Sequence, residues 1–161
     1  MKKYLLYMAT GFTLLTSCSD VNDERIPFVS VRIEISSAQH TNPAWWPAAP
    51  AESVGFLTPD YPAGFPYTIS SYTGYGGVMV VCGYDHAYYA YDMACPVERE
   101  AGVRIYVDEN MDGRCKVCGS TYDLFWGSGA PKTGEASVQG YALRKYYVSY
   151  IPANDSYLVS N

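Results

Sequence analysis

Residues 115–124 read CKVCGSTYDL. Two residues between two cysteines let both sulfurs turn toward one centre, a spacing that suits a tetrahedral, thiophilic metal. The same spacing serves redox thiols. A structural zinc takes four ligands, and the chain has no second Cys-x-x-Cys. A partner half stands upstream in DMACPVE, residues 92–98, at Cys95. The stretch between them is β in character. GVRIYV (102–107) aligns Val103, Ile105 and Val107 on one face, and DENMDG (108–113) ends in Asp-Gly, a strong hairpin signal. Cys95 therefore leaves a strand, and Cys115 is entered from a hairpin.

The same grammar extends outward. Gly76-Gly77 opens the apolar run VMVVC (78–82), and Tyr84-Asp85-His86 turns it into AYYAYDMAC, predicting a hairpin that delivers Cys95. IPFVSVRIEI (26–35) alternates at period two, with Val29, Val31, Ile33 and Ile35 on one side. YALRKYYVSYI (141–151) reads as a closing strand and SYLVS (156–160) as one more. Residues 36–67 hold most of the prolines and the pair Trp45-Trp46, with no sustained period, which predicts a long ordered loop. Neither an amphipathic helix nor an internal repeat is evident. The expectation is an all-β sandwich or barrel of short antiparallel strands. Seventeen Tyr, fourteen Gly and ten Pro agree with it, since aromatics suit pleated surfaces and Gly and Pro punctuate them.

With 161 residues, 48% hydrophobic and 17% charged, the chain can bury a core and is not a disordered polymer. A net charge of −5 argues against a nucleic-acid partner, which needs a basic face. The first residues, MKKYLLYMATGFTLLTSC, place two lysines before an apolar run and small residues before Cys18, the form of a secretory signal. The run between Lys3 and Cys18 is shorter than the roughly 20 residues needed to span a bilayer. Leu15-Thr16-Ser17-Cys18 resembles a bacterial lipobox, and the acidic stretch after it resembles the export signal of Bacteroidetes surface lipoproteins. The resemblance implies a signal peptide at 1–17, a lipidated Cys18 with a tether to residue 25, and one domain at 26–161. It implies a cell-envelope location on the outer membrane of a Gram-negative bacterium, with the acyl chains as membrane anchor. Four cysteines then remain in an oxidising compartment, Cys82, Cys95, Cys115 and Cys118, so disulfides stay open beside metals.

From Gly76 to about Tyr150 the motifs, taken in order, resemble a Rieske-type iron–sulfur domain. AYDMACPVE (90–98) is similar to its first cluster loop, CKVCGSTYDL to its second, and GSGAPKTGEASVQGYALRKYYV (127–148) to its closing segment. Such domains are small β-sandwiches in which Cys-x-His and Cys-x-x-His loops hold a [2Fe–2S] cluster. Cys95 and Cys115 match the cluster cysteines. Val97 and Cys118 stand where the histidines belong, and His40 and His86 lie elsewhere. The resemblance thus implies a degenerate site with three readings: zinc on Cys95, Cys115 and Cys118, a disulfide between the two loops, or a modified three-cysteine [2Fe–2S] cluster with a substitute ligand such as Glu98. The corresponding functions are a non-enzymatic module serving a membrane assembly, or an electron carrier with an unidentified redox partner. Cys82, inside an apolar strand, is expected to be a buried structural residue.

Two other features are weaker. Asp108-x-Asn110-x-Asp112-Gly113 opens like a calcium loop, but Gly119 occupies the position of the closing glutamate, so a hairpin turn is expected. Trp45, Trp46, Tyr61 and Phe65 would form a glycan- or protein-binding face if exposed. Packing over one end of the sandwich is the preferred expectation. Asp85 and His86 are expected in a turn, and no catalytic set emerges.

Overall fold

VMVVC is apolar at every position because both of its faces are covered. Val78 and Val80 enter one core with Val31, Ile33, Phe56, Trp46 and Val159, while Met79 and Val81 enter a second with Tyr91, Ile105, Leu124 and Leu143. A strand that alternates between two buried faces cannot show polar alternation. The structure, a computed structural model, describes residues 23–161. The signal segment and Cys18 lie outside the described residues.

The order is β1 Val31–Ile35, α1 Ser37–His40, β2 Ser53–Phe56, β3 Tyr72–Thr73, β4 Val78–Cys82, β5 Tyr88–Asp92, β6 Ile105–Val107, β7 Gly113–Cys115, β8 Thr121–Tyr122, β9 Pro131–Thr133, α2 Gly134–Gln139, β10 Lys145–Ile151 and β11 Ser156–Ser160. All pairings are antiparallel. Seven strands form one sheet in the order β2-β4-β5-β10-β11-β1-β3, and four form another, β6-β7-β8-β9. The outer strands of the larger sheet approach each other, because the Thr58 backbone N–H donates to Thr73 Oγ1 at 3.3 Å. That link nearly closes the sheet around the first core. The second core fills the space between the two sheets.

The all-β class is as the sequence predicts, with local departures. β2 stands inside the stretch 36–67 expected as a loop, because its four residues are too few to show a period, and the closing strand expected from Tyr141 starts at Lys145. β1 starts at Val31 rather than Ile26: Val29 is exposed, while Ile26 is buried as a plug ahead of the strand. β6 starts at Ile105, because Val103 turns its N–H back to the Glu100 carbonyl at 3.1 Å while its carbonyl accepts the Cys95 N–H at 2.8 Å. Two short helices occur where none is evident in the sequence. α2 is six residues long and ends on Gly140 with φ 69°, too short to imprint a 3.6-residue period. No helix among the described residues is long and apolar enough to cross a membrane.

The Trp45-Trp46 loop packs. Trp46 is 1% exposed, its ring 4.8 Å from those of Tyr88 and Tyr157. Trp45 sets its edge against Phe65 and donates its indole N–H to the Ala63 carbonyl at 3.2 Å.

Candidate metal centre

The two cysteine loops are built alike. After Cys95 the chain turns through Pro96, Val97 and Glu98 until the Arg99 N–H returns to the Cys95 carbonyl at 2.8 Å. After Cys115 it turns through Lys116, Val117 and Cys118 until the Gly119 N–H returns to the Cys115 carbonyl at 3.0 Å. The closing residues have φ of 59° at Arg99 and 73° at Gly119, the left-handed conformation that glycine adopts without steric cost. Cys115 is the last residue of β7, while Cys95 lies three residues beyond the end of β5. Strand pairing of Ile105 with Cys115 and the bridge of Ala94 with Arg104 bring the loops side by side.

In this arrangement the sulfurs of Cys95, Cys115 and Cys118 lie within 4.8 Å of one another, with Cys95 Sγ 3.6 Å from Cys118 Sγ. Cys95 and Cys115 are fully buried, and Cys118 is half-buried. The Tyr122 hydroxyl stands 3.7 Å from Cys95 Sγ. Burial pushes the Cys95 thiol up to about 12, although the Glu98 and Val97 N–H groups and Tyr122 favour its thiolate. Burial also opposes ionisation of Cys118, but there the Ser120 hydroxyl and N–H, followed by the neighbouring thiols, outweigh it and hold the group below its usual range. Tyr122 is held neutral by burial first, then by charge on Cys95.

Three thiolates offer a thiophilic ion three of its four tetrahedral positions. An ion about 2.3 Å from each sulfur separates them by about 3.8 Å, close to the Cys95–Cys118 spacing. The two-histidine, two-cysteine donor set of a Rieske cluster is absent. Val97 has no donor atom and packs on the second core, as Cys118 does. Among the described residues, neither histidine nor Glu98 joins the sulfur group. His40 sits on α1 against the edge of Tyr157, and His86 is in the β4–β5 turn with φ 64°. Cys82 is buried in β4, its sulfur 3.9 Å from the Gly83 carbonyl and outside the group.

Supporting residues without a sequence signal surround the loops. Arg25 donates from Nε to the Pro96 carbonyl at 3.1 Å, and its guanidinium lies 3.9 Å over the Tyr141 ring. Arg99 in turn donates to the Arg25 carbonyl at 3.3 Å, so the first described segment is laid over the Cys95 loop. These partners are 71 residues or more apart in the chain, beyond any local pattern. Ser120 and Tyr122, by contrast, lie in the stretch quoted first. Ser120 Oγ also accepts the Ala136 N–H of α2 at 3.2 Å, seating that helix beside the second loop. The DENMDG segment is a hairpin turn. Asp108 accepts N–H groups of Asn110 and Asp112 at 2.9 and 3.0 Å and Arg114 Nε at 2.8 Å, which uses its oxygens internally.

No family model matches the chain, and no curated protein matches it. A solved structure that is similar is a crystal structure provisionally named as an NADH-dependent nitrite reductase small subunit from Mycobacterium tuberculosis. It is 14% identical, with 83% of this chain and 96% of that chain covered and a TM-score of 0.44. At this identity and score the likeness says nothing of activity or ligand.

Proposed function

We propose that the chain is a non-enzymatic, Rieske-like module in which Cys95, Cys115 and Cys118 hold a single thiophilic ion, zinc, that ties two loops together. The observation that carries this reading is the group of three sulfurs within 4.8 Å, with one pair at 3.6 Å. Bound zinc supplies a cross-link between the β5–β6 and β7–β8 loops and no redox chemistry of its own. Burial pushes the Cys95 thiol up to about 12, and the Glu98 N–H, the Tyr122 hydroxyl and the Val97 N–H only offset this in part. At Cys118, by contrast, the Ser120 hydroxyl and N–H outweigh burial and favour the thiolate. A nearby oxygen, nitrogen or water would complete the four ligands that zinc takes. A redox carrier with a modified [2Fe–2S] cluster has less support, because the slot of the first histidine holds Val97.

We further propose export and anchoring in the cell envelope through acylated Cys18, which rests on Lys2, Lys3, the apolar run and the lipobox-like residues before Cys18. The partner is then the membrane and a protein assembled on it, not a nucleic acid.

Elemental analysis with thiol counting on anaerobically purified protein is the test. One zinc per chain, a colourless preparation and loss of the metal in Cys118→Ser are expected. Iron with visible absorbance, or no metal with all thiols free, overturns the metal reading. Incorporation of labelled palmitate that disappears in Cys18→Ser is expected for the anchor, and an unlabelled wild-type chain overturns it.

A further inference from the structure

The three sulfurs are not equally reachable. Cys95 and Cys115 are 0% exposed, whereas Cys118 is half-buried on a loop whose neighbours Lys116 and Val117 are exposed. A small oxidant therefore meets Cys118 first. Both loops are braced, and they differ in the space beside the sulfur. The Cys95 loop is braced by Arg25 on the Pro96 carbonyl and by the Cys95 N–H on Val103. Beside Cys118 the Gly119 carbonyl accepts Arg114 Nη1 at 3.2 Å and the Ser120 carbonyl accepts the Cys115 N–H at 3.0 Å. A Cβ added to Gly119 would nevertheless meet nothing within 4 Å, so the flank of this sulfur is open. A disulfide needs its sulfurs about 2.05 Å apart, roughly 1.5 Å closer than Cys95 and Cys118 stand here. A side-chain rotation with a small movement of the outer loop covers that distance.

We propose that Cys118 is a peroxide-reactive modification site whose resolving partner is Cys95, so that oxidation joins the two loops by a Cys95–Cys118 disulfide. The Cys118 sulfur attacks one oxygen of hydrogen peroxide. The O–O bond breaks, the second oxygen leaves as water with the thiol's proton, and Cys118 becomes a sulfenic acid. The Cys95 sulfur then attacks the Cys118 sulfur. An S–S bond forms, the S–O bond breaks, and hydroxide leaves as a second water with the proton from Cys95. In total two thiols are oxidised by two electrons and one peroxide is reduced to two waters. The disulfide consumes two of the three sulfur donors, so a bound ion is expelled. This last consequence alone rests on the metal reading above.

The test is titration of the full-length chain, in detergent, with hydrogen peroxide, followed by non-reducing peptide mapping and a chromogenic chelator for released zinc. One equivalent of peroxide is expected to yield the Cys95–Cys118 linked peptide, with zinc released in step. Cys118→Ser should slow peroxide-driven thiol loss by about tenfold or more. Cys95→Ser should stop at a Cys118 sulfenic acid that dimedone traps. A first product at Cys82 or a Cys95–Cys115 link overturns the proposal, as does Cys118 left intact after several equivalents. Mapping of the wild-type chain decides the matter even if a variant misfolds. If the protein carries no zinc but forms the Cys95–Cys118 bond, the inference stands and the metal reading falls. If it carries zinc and Cys118 stays inert, the metal reading stands and the inference falls.

Discussion

Asp92, two residues after Ala90 in β5, is fully buried and acts as a hub. It accepts N–H groups from Gly76 at 3.0 Å, Tyr75 at 3.1 Å and Ala94 at 2.8 Å, and the Tyr146 hydroxyl at 2.7 Å. Burial raises its pKa, and these four donors act in the opposite direction. Gly76 is required beside it, since an added Cβ would fall 2.4 Å from the Ala94 nitrogen. Replacing Asp92 with Ala leaves several buried donors unpaired and is expected to cost about 3–5 kcal/mol in urea unfolding. Tyr146→Phe removes one donor and should cost about 1 kcal/mol. Equal small losses in both variants would show that the hub is not rigid. None of this is legible in the Tyr-Asp pair, because three of the four donors come from residues 16, 17 and 54 positions away. The three sulfurs are a contrasting case. Their residue types make them candidates for one group, and folding brings their sulfurs within 4.8 Å of one another.

Among the elements, the β6–β7 hairpin has the clearest electrostatic signature. Burial resists ionisation of Asp108, yet the Asp112 N–H, the Arg114 guanidinium and the Asn110 N–H overcome it and hold the group below the carboxylate range. A depressed folded pKa adds stability above the unfolded value near 4 and loses it as pH falls through the folded value. Unfolding midpoints of the wild type should therefore drop between about pH 5 and pH 2, with a smaller drop in Asp108→Asn. Identical slopes would show that Asp108 has no part in the acid response. At neutral pH, Asp108→Ala should cost about 1–2 kcal/mol through its lost hydrogen bonds. The hairpin is legible because Asp and Asn bond their own turn. The left-handed residue, however, is Met111 at φ 62°, and Gly113 lies within β7, so the Asp-Gly signal locates the turn without its register. The short β9 and α2 leave too few residues for any period. The tryptophans separate by environment in the same way. Trp46→Ala, in the first core, should cost about 3–5 kcal/mol. Trp126→Ala, at 72% exposure, should change stability by less than about 0.5 kcal/mol, both read by thermal melts.

For the whole molecule, the two sheets predict two tiers of stability. The larger sheet wraps its own core and is nearly closed through Thr58 and Thr73, whereas the smaller is made of strands of two or three residues. If zinc ties its loops, chelation should raise amide exchange at Ile105, Cys115 and Tyr122 by at least about tenfold while Val80 and Ala90 stay protected. Uniform acceleration across both sheets would mean that the ion supports the whole fold. Sequence alone determined the β class and the main hairpins, while the pairing of the Cys95 loop with the Cys115 loop was implied by the family resemblance. Strand class and hairpins are legible because alternation and turn chemistry are local and survive without neighbours. Only the tertiary structure decided that VMVVC faces two cores, that Trp46 is interior, that Arg25 braces the Cys95 loop, and that Cys118 is the most exposed sulfur of the three. Each of these depends on which distant segment covers a surface, and burial is a property of the assembled layers rather than of any stretch within them.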